Sequence, residues 1–231
     1  MEVVFYCEDA RNPFLDPESI DLFITHPPFL NEVPEAYGGD LTLQIQNAAN
    51  VEDYSNSLIR SIQSMSLALK DSGAILLILP NSHVSFKIIR DIIDQTSLII
   101  NRDIIWNFEK SDFVKSASGN EINHILYITK NKEAKHNLKE LYSFVINENW
   151  SFFALKNSKF DSLPKNLVNI LIRSFSNEGE TVADLMAGTG TVAICSIENN
   201  RKAVYNDVST LQSDLAKSRV YDTIEDNRKG L

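Results

Sequence analysis

Two short segments of the 231-residue chain combine residue types that do chemistry. In the first, a short apolar strand ends at Asp184 and runs into a turn with Gly188 and Gly190, before a helix that begins at Thr191. Glycines there let the backbone approach a ligand closely, and the start of the helix offers free N–H groups. Asp207 ends the next apolar strand, about 20 residues further on, where nucleotide-binding units place the carboxylate that binds ribose hydroxyls.

This glycine pattern narrows the class of ligand. The third glycine of the dinucleotide fingerprint is absent and no Gly-Lys-Ser/Thr follows, which disfavours both an NAD enzyme and a phosphate-loop NTPase. An adenosine ligand without a diphosphate fits better. The alternative is an ordinary strand, turn and helix in which Thr191 only caps the helix.

The second segment lies near the other end of the chain, where an apolar strand stops at His26-Pro27-Pro28-Phe29. The two prolines restrict the backbone of the turn, so they aim a carbonyl and the following aromatic ring at one spot. Asp9 also follows an apolar strand and could either hydrogen-bond a ligand or simply cap the strand end.

The elements that must position these residues are short apolar runs that alternate with segments of helical period, the pattern of a mostly parallel sheet flanked by helices. The best helix covers 51–70, where Asn50 can cap its start and Gly73 follows its end. Strands are predicted at 3–7, 21–25, 74–79, 98–105, 124–129, 181–185 and 203–206.

A second helix is predicted over 164–175, with Asp161 or Ser162 as its cap. Pro164 falls in its first turn, where a missing N–H costs little. The segments 30–50 and 109–120 are polar or rich in glycine and proline, and we interpret both as functional loops.

Composition and charge bound the class of protein. The chain is 43% hydrophobic and 23% charged, which is ordinary for a globular domain. A formal charge of -9 argues against nucleic-acid binding through bulk electrostatics. Two cysteines far apart, no long apolar stretch and no ligand spacing among the histidines predict a cytoplasmic protein without a metal site.

The turn at His26-Pro27-Pro28-Phe29 resembles the Asp/Asn/Ser-Pro-Pro-Tyr/Phe catalytic motif of the amino methyltransferases, which use S-adenosylmethionine to methylate adenine or cytosine amino groups in DNA. The turn precedes the glycine segment, which is the order of the permuted β group of that family. His26 departs from the family, which has Asp, Asn or Ser there. Further segments similar to the family, in the same order, are 3–10, 37–40, 51–70, 73–78, 103–107, 120–130, 163–172 and 184–191.

The resemblance implies an α/β, Rossmann-like methyltransferase fold with a mostly parallel central sheet and helices on both faces. It implies a single domain over 1–231, divided into a catalytic half at about 1–130, a short insert at about 131–161, a cofactor-binding half at about 162–220 and a tail at 221–231. The cofactor implied is S-adenosyl-L-methionine. The residues expected to bind it are Asp9, Pro164, Asp184, Leu185, Ala187, Gly188, Gly190, Thr191 and Asp207.

The resemblance also implies a mechanism for the turn. The carbonyl of Pro27 and the side chain of His26 would accept hydrogen bonds from the exocyclic amine, while Phe29 would stack on a base that has swung out of the duplex. Neutral His26 can accept through a ring nitrogen and protonated His26 cannot, so activity should fall as His26 becomes protonated. The opposing interpretation is a substituted, inactive turn.

The expected partner is duplex DNA. Residues 109–173 hold ten Lys or Arg against seven Asp or Glu, and the cluster at Lys130–Lys139 could follow phosphates, although a solvated helix face is the alternative. Because the insert is short, we expect a short recognition site or help from a second subunit in a homodimer. The functional alternatives are an RNA amino methyltransferase and a catalytically impaired module that binds S-adenosylmethionine or DNA.

Overall fold

Seven strands and five helices form the part of the chain that the computed structural model describes, residues 2–30, 40–109, 120–132, 134, 136, 138, 141 and 163–229. The strands are β1 Val3–Tyr6, β2 Ile20–Thr25, β3 Leu69–Pro80, β4 Ile99–Glu109, β5 Asn120–Thr129, β6 Thr181–Asp184 and β7 Lys202–Asn206. The helices are α1 Val51–Ala68, α2 His83–Gln95, α3 Lys165–Phe175, α4 Thr191–Glu198 and α5 Thr210–Lys229. A 3₁₀ turn, Ile45–Asn47, precedes α1.

All seven strands join one sheet in the order β1-β7-β6-β2-β3-β5-β4. The pairs from β1 to β3 are parallel, and β5 alone runs against its two neighbours. This confirms the predicted mostly parallel sheet. Because β1, β7, β6 and β2 are adjacent and parallel, their carboxyl ends meet at one edge, and the loops that follow them lie together there.

Helices cover both faces of the sheet, as predicted. Along β3, Ile75, Leu77 and Leu79 pack in one core with α1 and α2, whereas Ala74, Leu76 and Ile78 pack in a second core with α3 and α4. This alternation follows from the two-residue period of a strand. A strand buried on both faces reads as a continuous apolar run, which is why these central strands stand out in the sequence.

The helix ends differ in detail from the sequence-based expectations. Asn50 caps α1, because its side chain accepts from the Asp53 N–H at 2.9 Å, as predicted. However, β3 begins directly after α1, at Leu69, so Gly73 lies inside the strand rather than at the helix end. A Cβ at Gly73 would come within 2.7 Å of the Asp21 carbonyl oxygen, so this glycine serves close strand packing.

Two further expectations about helix ends change. Pro164 is itself the N-terminal cap of α3, without a side-chain cap bond, whereas Asp161 and Ser162 lie outside the described residues. Gly190, not Thr191, caps α4 in a left-handed conformation.

The C-terminal helix also extends further than expected: α5 continues to Lys229, so the segment 221–229 that we set apart as a tail is helical. Within the described residues, no helix has the length and apolar character needed to cross a membrane.

Candidate active site

One cleft opens at the edge of the sheet where the carboxyl ends of β1, β2, β6 and β7 meet. Its empty volume is about 950 Å³ including the open mouth. The structure brings together ten of the residues predicted for the site on its walls: Asp9, His26, Pro27, Pro28, Asp184, Leu185, Ala187, Gly188, Thr191 and Asp207. Phe29, Pro164 and Gly190 are each adjacent in sequence to a lining residue but do not line the cleft themselves.

The glycine loop, residues 185–190, requires both of its glycines for different reasons. Gly188 has a φ of +47° and Gly190 a φ of +81°, a region that side chains with a Cβ adopt at a cost. A Cβ at Gly188 would meet nothing within 4 Å, because this residue faces the open cleft. A Cβ at Gly190 would lie 2.9 Å from the Cβ of Ala216, so this glycine lets α5 pack against the loop.

Three side chains that the sequence reasoning missed hold the glycine loop in place. Asn206 is fully buried and bonds the main chain of Glu8 in both directions, at 2.8 and 2.9 Å, and the Leu185 carbonyl at 2.9 Å. The Tyr205 hydroxyl donates to the Gly188 carbonyl at 2.8 Å, and Arg219 donates to the Thr189 carbonyl. An amide side chain as the last residue of a buried apolar strand was the available signal for Asn206.

Two carboxyl groups face the cleft, the buried Asp184 at the end of β6 and the half-buried Asp207 directly after β7. Burial raises the pKa of Asp184, and the charge of Asp207 adds to the rise, so that the pKa reaches about 7 against the opposing effect of the Met186 N–H. Burial also raises the pKa of Asp207, although the N–H groups of Ser209 and Gly188 donate to it at 2.9 and 2.8 Å. These two side chains fit a ligand that brings positive charge and hydroxyl donors.

Asp9 lies on the cleft wall but already has a partner. Its carboxylate forms an ion pair with Arg11, whose Nε lies 2.8 Å from Oδ1 and whose Nη2 lies 2.8 Å from Oδ2. Burial acts to raise the pKa of Asp9, but the hydrogen bonds and charge of Arg11 outweigh it and hold the pKa below the ordinary value. Asp9 is therefore ionised in the folded protein at neutral pH.

The Pro-Pro turn, His26–Phe29, receives a hydrogen bond from α1 and has a ring contact within it. The hydroxyl of Tyr54, from α1, donates to the Pro28 carbonyl at 2.9 Å. The rings of His26 and Phe29 meet edge to face, with centroids 5.0 Å apart and planes at 86°. Phe29 is half-buried against His26 rather than in the cleft wall.

The segment from Leu43 to Gln46 forms a further wall of the cleft that the sequence reasoning did not single out. Gln44 and Gln46 are both buried, and the Gln46 Nε2 donates to the Gln44 Oε1 at 2.8 Å. Only the polar composition of the loop at 30–50 hinted at a role. Glutamines in a loop carry no periodic signal, so the residues could not be found from spacing.

The basic cluster at Lys130–Lys139 does not lie at the cleft as far as the structure describes it. Because β5 runs opposite to the other strands, its last residue, Thr129, pairs with Ile99 at the start of β4. Lys130 therefore lies at the end of the sheet where the other strands begin, opposite the cleft. There Lys130 lies 3.9 Å from Asp71. Lys135 and Lys139 lie outside the described residues. We expected Lys130 to bind DNA phosphates. Its position contradicts that expectation, because a base held in the cleft would lie at the opposite end of the strands.

The two cysteines take no part in the site. Cys195 is fully buried in the core beneath α3, where burial raises its pKa to about 12, which confirms the predicted core role. Cys7 is exposed at the end of β1. Among the residues that the structure describes, no three His, Cys, Asp or Glu side chains are grouped to hold a metal ion.

The sheet order, the glycine loop and the two acidic strand ends define an α/β enzyme with the methyltransferase fold. Residues 20–218 match the DNA methylase family of N6 and N4 amino methyltransferases, so the chain belongs to that family. It is a DNA methyltransferase of the amino type, an enzyme that methylates amino groups of DNA bases with S-adenosylmethionine as cofactor.

Solved structures agree with this fold. The chain is similar to PvuII DNA methyltransferase (cytosine-N4-specific), with a TM-score of 0.71, 14% identity, and coverage of 96% of this chain and 91% of that one. It is also similar to a putative DNA modification methylase from Thermus thermophilus solved with S-adenosyl-L-methionine, with a TM-score of 0.65, 18% identity, and coverage of 95% and 93%. No curated protein matches the sequence significantly.

Proposed function

We propose that the cleft between the glycine loop and the Pro-Pro turn is where this chain methylates a base amine, with the residues of the two loops in the roles given below. The observation that carries the proposal is that one cleft holds both the strand ends Asp184 and Asp207 and the turn at His26-Pro27. A transfer reaction needs the donor and the acceptor side by side, because holding both in one site removes most of the entropic cost of their encounter.

The cofactor side of the cleft fits S-adenosylmethionine. Each oxygen of the Asp207 carboxylate accepts one N–H of the protein, so each keeps a lone pair for a ribose hydroxyl. Asp184 faces the same cleft and suits the ammonium group of the methionine end. Gly188 leaves its backbone open to the cleft, where a side chain would intrude. When bound, the cofactor supplies an electrophilic methyl group on a sulfonium sulfur.

The rest of the predicted cofactor set takes supporting roles in this proposal. Leu185 and Ala187 line the cleft, and Thr191 begins α4 at its floor. Pro164 positions α3, so that its neighbour Leu163 reaches the cleft wall. Asp9, ionised beside Arg11, lies where it can accept from an amine of the cofactor or of the base.

The Pro-Pro turn acts on the base. An exocyclic amine is a poor nucleophile because its lone pair is delocalised into the ring, and hydrogen bonds from its N–H groups to fixed acceptors favour the pyramidal, reactive form. Tyr54 holds the Pro28 carbonyl, and we assign the neighbouring Pro27 carbonyl to the amine. His26 borders the same space, and Phe29 lies beside it as the ring against which a swung-out base can stack.

The test is transfer of an isotopically labelled methyl group from S-adenosylmethionine to unmethylated DNA and, in parallel, to RNA. Mass spectrometry of the hydrolysed nucleosides then identifies N6-methyladenine or N4-methylcytosine. We expect label in DNA, loss of transfer in Asp184→Ala, and reduced transfer in His26→Ala with cofactor binding retained. Label only in RNA would favour the RNA alternative, and cofactor binding without transfer would favour the impaired binding module.

Two finer predictions remain with this proposal. A homodimer would supply recognition surface that the short insert does not, and analytical ultracentrifugation with and without DNA measures it. The proposed cytoplasmic location follows from cysteine use and is checked by cell fractionation.

A further inference from the structure

A buried pair of glutamines on the cleft wall carries an inference beyond the roles assigned so far. Gln44 and Gln46 are 6% and 3% exposed, and both line the cleft. The Gln46 Nε2 donates to the Gln44 Oε1 at 2.8 Å. The other end of the Gln46 amide, Oε1, is buried and accepts no hydrogen bond within the described structure.

An unpaired buried acceptor needs a physical reason. Leaving one in a folded protein is costly, and native structures contain few of them. The cost is recovered when a molecule in the cleft brings an N–H to the oxygen. The terminal torsion of a glutamine is broad, so a rotation small enough to keep the Nε2 bond to Gln44 can turn Oε1 from its shielded position toward an occupant.

The segment that carries the glutamine pair packs on the same helix as the Pro-Pro turn. The 3₁₀ turn Ile45–Asn47 contacts α1, and Ile45 packs in the same core as Tyr54. The Tyr54 hydroxyl in turn holds the carbonyl of Pro28. The 3₁₀ turn that carries Gln46 and the Pro-Pro turn are therefore both fixed against α1, so their positions relative to each other are set by packing rather than by a ligand.

The part of the cleft that would bind the base leaves a role for Gln46. An exocyclic amine has two N–H groups, and two acceptors are needed to hold it in one orientation. The Pro27 carbonyl is one. The His26 side chain, which we expected as the second, packs its ring edge to face on Phe29 with centroids 5.0 Å apart, and the unpartnered Gln46 oxygen is a further acceptor on the same cleft.

We propose that Gln46 binds the substrate base, with Oε1 accepting the second N–H of the exocyclic amine, and that Gln44 sets the orientation of this amide. The Gln46 Nε2 donates to Gln44, and Oε1 is the atom of the amide left without a partner, so the group offered to the base is an acceptor. A keto oxygen at the same position, as in O6 of guanine or O4 of thymine, would meet that acceptor with repulsion, so the pair selects adenine or cytosine. This inference rests on the proposed function of the cleft.

The test compares Gln46→Met, which keeps the size of the side chain but removes the acceptor, with Gln63→Met as the matched control. Gln63 is an exposed glutamine on α1 that contacts the Gln95 carbonyl, away from the cleft. We measure cofactor affinity, the kcat for methyl transfer at saturating cofactor, and thermal stability. For Gln46→Met we expect kcat to fall about 10- to 100-fold, with cofactor Kd changed less than about threefold. Gln63→Met should match the wild type.

A second measurement separates base contact from a structural role. The duplex carries the site that the wild type methylates, with the target base either intact or replaced by its analogue without the amine, and binding is measured with S-adenosylhomocysteine present. We expect removal of the amine to weaken the wild type at least about fivefold more than it weakens Gln46→Met. Equal weakening in both proteins would overturn the inference.

The remaining outcomes are also decisive. If Gln46→Met loses cofactor affinity while kcat at saturating cofactor is unchanged, the oxygen serves the cofactor and the inference is wrong. If wild-type protein transfers no methyl group to DNA, the proposed function itself fails. If the wild type is active and Gln46→Met is equally active, only the inference fails.

Discussion

The glycine loop and the Pro-Pro turn lie at the same edge of the sheet but are held by different interactions. Main-chain atoms of the glycine loop receive hydrogen bonds from Asn206, Tyr205 and Arg219, and Asp207 accepts from Gly188. The contacts of the Pro-Pro turn include the bond from Tyr54 to the Pro28 carbonyl and the ring contact between His26 and Phe29.

This difference matches what each loop would bind in the proposed function. There the glycine loop presents backbone groups to the cofactor, and backbone groups are useful only when the chain is held to within a fraction of an ångström. The Pro-Pro turn is stiffened by the proline rings themselves, which restrict φ without needing many partners. The glycine loop is therefore held rigid by its neighbours, whereas the Pro-Pro turn is stiffened by its own sequence.

The largest expected effect is at the anchor of the glycine loop. Asn206→Ala removes three hydrogen bonds of a fully buried side chain and leaves the Glu8 and Leu185 main chain unpaired. We expect a loss of about 3–5 kcal/mol in the free energy of unfolding, measured by urea denaturation. Asn101→Ala, which removes a 2.7 Å bond to Thr129 at an exposed position, is the control and should cost less than about 1 kcal/mol. Equal losses would mean that the loop does not depend on Asn206.

The next effect concerns the buried charge on the cofactor side. The pKa of Asp184 is raised by burial to about 7 from 3.8, so the protonated form contributes stability that is fully present below about 4 and is lost as pH rises through about 7. Asp184→Asn should therefore stabilise the protein without ligand by about 2–4 kcal/mol at pH 8 and by little at pH 4.

Thermal unfolding of both proteins at the two pH values checks this prediction for Asp184. Cofactor binding should change in the opposite direction, with weaker binding in Asp184→Asn, because the ammonium group loses its counter-charge. A stabilisation that does not vary with pH would show that the charge is not its origin.

A pair of alanine substitutions separates packing from ligand access within the glycine loop. Gly190→Ala forces a left-handed alanine whose Cβ lies 2.9 Å from that of Ala216, and we expect a loss of about 2–3 kcal/mol in unfolding free energy. Gly188→Ala has open space around its Cβ and should cost only about 1 kcal/mol, yet it should weaken cofactor binding by tenfold or more, since the methyl group enters the cleft. Calorimetric titration and denaturation on the same samples distinguish the two, and the prediction fails if both variants lose only stability.

The smallest effect is expected on the Pro-Pro side. Tyr54→Phe removes the hydroxyl that holds the Pro28 carbonyl and should cost about 1 kcal/mol in stability. The methyl-transfer kcat should fall about tenfold while cofactor Kd stays the same, because only the part of the cleft that would bind the base loses a restraint. Tyr221→Phe, at an exposed position on α5, is the matched control. A change in cofactor affinity instead would show that the two sides of the cleft are not separable.

The fold was predictable from the sequence because burial on both faces leaves a strong pattern. All seven strands were found as apolar runs, and the start of α1 was found from the capping residue Asn50. The helix ends were less predictable: Gly73 reads as a helix stop, but β3 begins four residues before it. A glycine signal alone does not tell a helix end from a close strand contact.

The candidate site divides in the same way. Residues with distinctive local chemistry, such as Gly188, Asp207 and the Pro-Pro turn, were identifiable by type and spacing, and the structure places them on one cleft. Asn206 and Gln46 were not, because Asn206 bonds Glu8 at the other end of the chain and Gln46 is distinguished only by its place on the cleft wall. Lys130 shows the opposite failure: its charge suggested DNA, but the direction of β5 carries it to the other edge of the sheet.

The sequence by itself determined the alternation of strands and helices, the glycine loop with its acidic partners, and the Pro-Pro turn, because each is encoded by neighbouring residues through burial period, φ preference and side-chain chemistry. Only the tertiary structure decided which of these groups share a cleft, which carboxyl group is buried enough to change its pKa, and which glutamine oxygen lacks a partner. Those properties depend on distances between segments remote in the chain, and they are set by strand order and direction rather than by any local pattern.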